Sequence, residues 1–264
     1  MSFIKVGEAT ISYRREGLRG APKLVLLNSL GTDLRLWDDV IDQLRGAYDI
    51  LTCDKPGHGL SGSLPGPYTI EQLARDVCLV MDAEGFGRAA ICGLSVGGLI
   101  ALHLTCTHPA RVAALIVMDS AARVGNADMW NARIEAVRQG GMAGVADQVL
   151  SRWFSPAYCE REPAAFAGWR NMLLRTDTEG YAGVCAALRD ADLTTNLPAI
   201  TTPTLIMAGC EDLSTPLELV AATAAMIPGA RFERIEGAGH LPCVEQPKTV
   251  SALIDGFLKD IEHA

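Results

Sequence analysis

Three residues far apart in the chain have the types that nucleophilic catalysis needs. They are Ser95 in GLSVG (93–97), Asp212 in AGCEDLSTP (208–216) and His240 in EGAGHLPCVEQP (236–247). A serine hydroxyl attacks poorly until an imidazole takes its proton, and the imidazole needs a carboxylate to fix its tautomer and balance its charged form. Ser95 stands between AAIC, which has strand character, and LIALHLTCTHP, which has helical character. The G-x-S-x-G pattern in that setting predicts a nucleophile elbow, a tight turn that lifts the hydroxyl above the carboxyl edge of a sheet. Gly93 and Gly97 would be small because side chains there would strike the adjoining strand or helix. The start of the following helix also supplies amide donors for a developing oxyanion.

Other residues compete for these roles. Asp212 before STP has the setting of a turn or helix cap, and Asp119, at the end of AALIVMD, also closes an apolar run. His58, His103, His108 and His263 have weaker settings than the glycine-rich loop around His240, with His58 in DKPGHGLSG the strongest rival. For the oxyanion, the amide of Val96, next to the nucleophile, is the first expected donor. The second is expected from NSLGTDL (28–34), with Leu30 as the donor.

These residues need a scaffold that brings them to one edge. KLVLLN (23–28), YDILTCD (48–54), AAICG (89–93) and AALIVMD (113–119) are short, β-branched-rich runs separated by helical spacing or turns, and TLIMAG (204–209) and RFERIEG (231–237) continue the pattern. Near-continuous apolar strands alternating with helices predict a mostly parallel α/β sheet covered on both faces. FIKVGEATISYRREG alternates more and predicts an antiparallel hairpin at an edge. From about Ala122 to Asn196 only amphipathic helical segments appear, so the expected division is a core of 1–121 and 197–264 with a helical lid at 122–196.

Composition narrows the partners. The 264 residues are 49% hydrophobic and 20% charged, enough for one α/β domain with an insertion. The absence of a long apolar run, and of an apolar stretch in MSFIKVGEAT, predicts a soluble, cytoplasmic protein with no membrane partner. Eight scattered cysteines without a CxxC pair predict neither disulfides nor a zinc site. A net charge of −8 with no basic stripe argues against nucleic acid. It also means that an anionic substrate would need a locally placed cation. In the lid, Trp130, Ile134 and Val137 form an apolar stripe at helical spacing, and Arg133 falls within it. Such an arginine must reach out to water, pair with an acid, or meet a ligand carboxylate. Trp130 and Trp153 are candidates for the pocket wall or for the core.

The order Ser, Asp, His and the elbow resemble the α/β-hydrolase family along essentially the whole chain. More narrowly, NSLGTDLRLWD, DKPGHGLSG, GLSVGG, SAARVGNADMWNARIEAVRQGGM and RWF resemble the 3-oxoadipate enol-lactonases. Many α/β hydrolases carry His-Gly where this chain has Asn28-Ser29. The resemblance implies an α/β-hydrolase fold, a structural role for the turn that holds His58, and opening of a small anionic enol-lactone in aromatic-compound degradation. It implies no metal or organic cofactor and leaves a homo-oligomer open. A carboxylesterase, C–C bond hydrolase or perhydrolase would share the triad and differ in the lid. Haloalkane dehalogenases and epoxide hydrolases would carry aspartate at position 95, and a non-catalytic ligand sensor would not need an intact triad.

Overall fold

The computed structural model of the protein describes residues 1–262, and His263 lies outside them. Eight strands form a single sheet: β1 (Ser2–Val6), β2 (Ala9–Gly17), β3 (Lys23–Leu27), β4 (Asp49–Cys53), β5 (Ala89–Leu94), β6 (Val112–Met118), β7 (Thr204–Gly209) and β8 (Arg231–Ile235). Their order is β1-β2-β4-β3-β5-β6-β7-β8. From β4 to β8 every pairing is parallel, while β2 pairs antiparallel with both β1 and β4. The alternating N-terminal segment therefore does form a hairpin. Only β1 is the edge, because β2 extends the sheet.

Eleven helices among the described residues complete the fold. Those packed on the sheet include α1 (Asp38–Leu44), α2 (Ile70–Ala83) and α3 (Val96–Thr107). Between β6 and β7 come α4 (Ala127–Gly140), α5 (Ala143–Leu150), α6 (Pro156–Arg161), α7 (Pro163–Leu174) and α8 (Thr178–Asp190), with no strand among them. The chain returns to the sheet through α9 (Leu217–Ala225), α10 (Pro242–Glu245) and α11 (Pro247–Glu262).

Burial follows the sequence pattern. Strands β4, β5 and β7 are buried at every residue, as a sheet covered on both faces requires. In α11, Val250, Ile254, Phe257 and Leu258 are buried at helical spacing and face the core. Each such side chain contributes about 1.5–3 kcal/mol by leaving water. Helices α1 and α11 pack on each other, as do α2 and α3. That packing fixes α3, and with it the loop that carries Ser95. Among the described residues no helix is long and apolar enough to cross a membrane.

Candidate active site

The turn at Ser95 is forced by its neighbours. Ser95 has φ 57° and ψ −119°, a left-handed conformation that L side chains adopt at a cost of about 1–3 kcal/mol. A Cβ on Gly93 would lie 2.1 Å from the Gly97 carbonyl oxygen, and one on Gly97 would lie 2.3 Å from the Leu27 carbonyl oxygen. Both glycines thus let α3 start directly against β5 and β3. Hydrogen bonds hold the strained residue in place: the Ser95 amide donates to the Met118 carbonyl at 2.9 Å, and the Ser120 hydroxyl donates to the Ser95 carbonyl at 2.7 Å. Val96 opens α3, so its amide has no acceptor within the helix.

Asp212 and His240 come from the loops after β7 and β8. His240 Nδ1 lies 2.8 Å from Asp212 Oδ2, and both residues are buried. The carboxylate also accepts from the amides of Ser214 (2.6 Å) and Thr215 (3.2 Å) and from the Thr215 hydroxyl (2.6 Å). Burial pushes the Asp212 carboxyl up, but the His240 charge, its hydrogen bond and the Thr215 and Ser214 donors outweigh it and hold the group below the usual carboxylate range. With Nδ1 engaged, Nε2 is the ring nitrogen left for proton exchange.

The rival acid is close by but in a different state. Asp119 (φ 45°) is fully buried and accepts from the Gly209 amide at 2.8 Å through Oδ1, while its Oδ2 has no hydrogen-bond donor among the described residues. Burial, then the Asp212 charge, push its carboxyl well above the ordinary range. Two neighbouring carboxyls whose environments drive them apart take different roles. Here Asp212 is the ionised partner of the histidine and Asp119 the group held toward its neutral form. His58 is also removed from contention: it is buried against the Pro56 carbonyl (3.0 Å), and burial followed by the Lys55 charge push its imidazole down to about 3.

Ser95 and His240 share the wall of a cavity of about 110 Å³ with Leu30, Trp130, Arg133, Arg152, Trp153 and Tyr181. Among the described residues Ser95 Oγ has no hydrogen-bond partner, His240 included, so the structure pairs Asp212 with His240 and sets Ser95 on the same cavity wall. Of the residues given site roles from the sequence, Ser95, His240, Leu30, Trp130, Arg133 and Trp153 line this cavity, while Asp212 and Val96 adjoin His240 and Ser95 without lining it. Trp130 also anchors its own helix, donating from Nε1 to the Val124 carbonyl at 2.7 Å.

The arginines of the helical segment between β6 and β7 separate. Arg123 pairs with Asp192 (3.4 Å) and Arg170 with Asp147 (3.3 Å), both in exposed pairs away from the cavity. Arg175 lines neighbouring surface grooves instead. Arg133 reaches only the Tyr181 hydroxyl, at 3.4 Å, and neither it nor Arg152 has a carboxylate partner among the described residues. Tyr181, Thr215 and Ser29 were not legible as site residues, although Thr215 sits in the same STP turn as the aspartate. Glu245 was missed as well: it accepts from the amides of Gly239 (2.8 Å) and Ser155 (3.1 Å), and the Leu241 amide donates to the Trp153 carbonyl at 3.2 Å. These bonds lock the His240 loop to the segment between α5 and α6.

Comparison with known proteins agrees with this architecture. Residues 24–253 match the model of the alpha/beta hydrolase family. The chain is 36% identical over 253 residues to 3-oxoadipate enol-lactonase 1 of Acinetobacter baylyi, covering 96% of this chain and 94% of that protein. It is also 29% identical over 279 residues to the putative carbamate hydrolase RutD of Azorhizobium caulinodans, with both chains covered in full. Among solved structures, the enol-lactonase from Burkholderia xenovorans LB400 superposes with a TM-score of 0.95 at 38% identity, covering 98% of this chain and all of the other.

Proposed function

We propose that this chain, which belongs to the alpha/beta hydrolase family, is a carboxylic ester hydrolase that opens 3-oxoadipate enol-lactone to 3-oxoadipate. Arg133 carries this reading: it lines the cavity that holds Ser95 and His240 and has no carboxylate to pair with among the described residues. A cation left unpaired beside a nucleophile suits a small substrate that brings its own carboxylate. The enol-lactonase relatives support the same substrate class. In this reading α4 to α8 act as a cap, with Trp130 and Trp153 enclosing the lactone.

The reaction is acyl transfer through a covalent intermediate. His240 takes the Ser95 proton through Nε2, and Asp212 stabilises the imidazolium that results. Ser95 Oγ attacks the lactone carbonyl, and the amides of Val96 and Leu30 hold the oxyanion. Collapse of the tetrahedral intermediate expels the ring oxygen, which takes the proton held by the His240 imidazolium to leave as an enol and then ketonises. His240 then activates water, which releases the acid and restores the serine.

The test is direct. Freshly generated 3-oxoadipate enol-lactone is supplied to the purified protein and its loss is followed by ultraviolet absorbance. Turnover at least a hundred-fold more efficient than that of a neutral ester of equal size is the expected result. The RutD relatives support a second reading, hydrolysis of a carbamate by the same triad. Faster turnover of a small carbamate than of the lactone would establish that reading and retire the first.

A further inference from the structure

Lys55 has no part in the chemistry above, yet it is one of the most completely buried cations in the protein. It lies in the turn after β4, and its ammonium donates to the carbonyls of Asn28 at 3.0 Å and Ser29 at 2.8 Å. Burying an ammonium is costly unless charge and hydrogen bonds compensate it. Asp54 and Asp33 supply opposing charge, although burial still draws the Lys55 amine down to about 8. An apolar side chain would fill this place with less penalty. Its two carbonyl partners suggest what the charge does.

Asn28 and Ser29 begin the loop after β3, and Ser29 and Leu30 line the Ser95 cavity. The cis peptide among the described residues is Gly66–Pro67, so the bond from Ser29 to Leu30 is trans. In a trans peptide unit the C=O and the following N–H point in opposite directions. With the Ser29 carbonyl held on the Lys55 ammonium, the Leu30 N–H must point away from Lys55. The Thr32 hydroxyl (2.9 Å) and amide (3.3 Å) also reach the Ser29 carbonyl, and these bonds tighten the turn without adding charge. The loop cannot easily swing, because Gly31 has φ 77° and a Cβ there would lie 2.6 Å from Leu173 Cδ1. A cation on a carbonyl oxygen also draws electron density from the same peptide unit, which makes its N–H a stronger donor.

We propose that Lys55 is a positioning residue for the oxyanion site, aiming and polarising the Leu30 amide toward the oxygen of a carbonyl attacked by Ser95. The inference rests on the reading of Ser95, Val96 and Leu30 given above. Its value lies in the transition state, where negative charge gathers on that oxygen, and not in ground-state binding.

The test compares Lys55→Met with the parent, using p-nitrophenyl acetate as substrate and an arylboronic acid that forms a tetrahedral anion on Ser95. A fall in kcat of roughly thirty-fold is expected, with KM within about two-fold and boronate affinity falling in step with kcat. A folded variant with unchanged kcat, or one that changes only KM and melting temperature, overturns the proposal. A second readout uses the unaltered protein, so folding of the variant is not required. The Leu30 amide proton should move downfield on boronate binding, and the titration midpoint of the Lys55 side chain should rise, because coupling between the two sites is reciprocal. An unmoved Leu30 amide or Lys55 midpoint overturns the proposal while Val96 still responds. Failure of the underlying reading looks different: Val96 would also stay silent, and Ser95→Ala would keep its activity.

Discussion

The floor and the roof of the cavity are built in opposite ways. On the floor, Ser95, Asp212 and His240 sit on loops at the carboxyl ends of β5, β7 and β8, and backbone groups hold them. The Ser95 peptide is bonded on both sides, and a single added Cβ at Gly93 or Gly97 would collide with main chain. On the roof, Arg133 and Arg152 come from the helical segment between β6 and β7 and have few polar partners, the Tyr181 hydroxyl at 3.4 Å being the contact that Arg133 makes. Rigid backbone can hold reacting atoms to a fraction of an ångström, as acyl transfer needs. Long side chains can adapt to a ligand's shape and charge. In the proposed function, reactivity belongs to the sheet and selectivity to the helices above it.

The strongest way to break that contrast is at its centre. Ser95→Ala should lower turnover by roughly a million-fold with ligand binding kept, as when a residue that works only as part of a unit is lost. Stopped-flow measurement of hydrolysis and a separate product-binding titration would check both halves. Near-normal turnover would remove Ser95 from the reaction.

The two acids give the next effect. Asp212→Asn should cost roughly ten-thousand-fold in kcat, because the imidazole loses its ionised partner, whereas Asp119→Asn should stay within about ten-fold. The second variant also carries a pH signature. A carboxyl whose pKa is raised on folding adds stability below its unfolded value and loses it as pH rises through the folded value. An asparagine keeps the neutral form at every pH. Asp119→Asn should therefore raise the melting temperature relative to the parent at pH 8, with the difference shrinking toward pH 4. A gain that is largest at pH 4 would contradict the assignment of Asp119 as the neutral member.

The roof should respond by binding. Arg133→Leu should raise KM for the anionic lactone by roughly ten- to a hundred-fold, the range expected on losing a charge-assisted hydrogen bond. KM for a neutral ester of similar size should move less than about three-fold. Equal changes for both substrates would take Arg133 out of recognition. The smallest effect is expected at Arg170→Leu, where an exposed pair with Asp147 contributes little. Steady-state constants within about two-fold of the parent would fit its place outside the cavity.

Much of the floor was legible from the sequence, and the reason is local. A serine that must take a left-handed turn between a strand and a helix needs small neighbours at fixed offsets, so GLSVG records the geometry in five letters. Asp212 and His240 follow apolar runs, which places them at the same sheet edge as Ser95 once those runs are parallel strands. The choice of Asp212 over Asp119 was harder to read, since both end strands. It depends on which carboxyl is reached by the Thr215 hydroxyl and the His240 ring, a matter of packing across the sheet.

The roof and the supports behind the floor were less legible. The helical stripe around Arg133 marked it as unusual, but one helix cannot show whether an acid waits on the next. Arg123 and Arg170 cannot be told from Arg133 by residue type, and only the folded chain shows Asp192 and Asp147 beside them. Lys55 and Glu245 carried no signal at all, because a charged residue in a turn or at a helix end usually faces water and nothing nearby in the sequence foretells burial. What the sequence alone determined is the order of the strands, the elbow turn and the candidates for the reacting groups, each written in residues close together along the chain. Which charges are buried, which are paired and which are left facing the cavity was decided by the tertiary structure, because the partners that satisfy a charge come from segments distant in sequence.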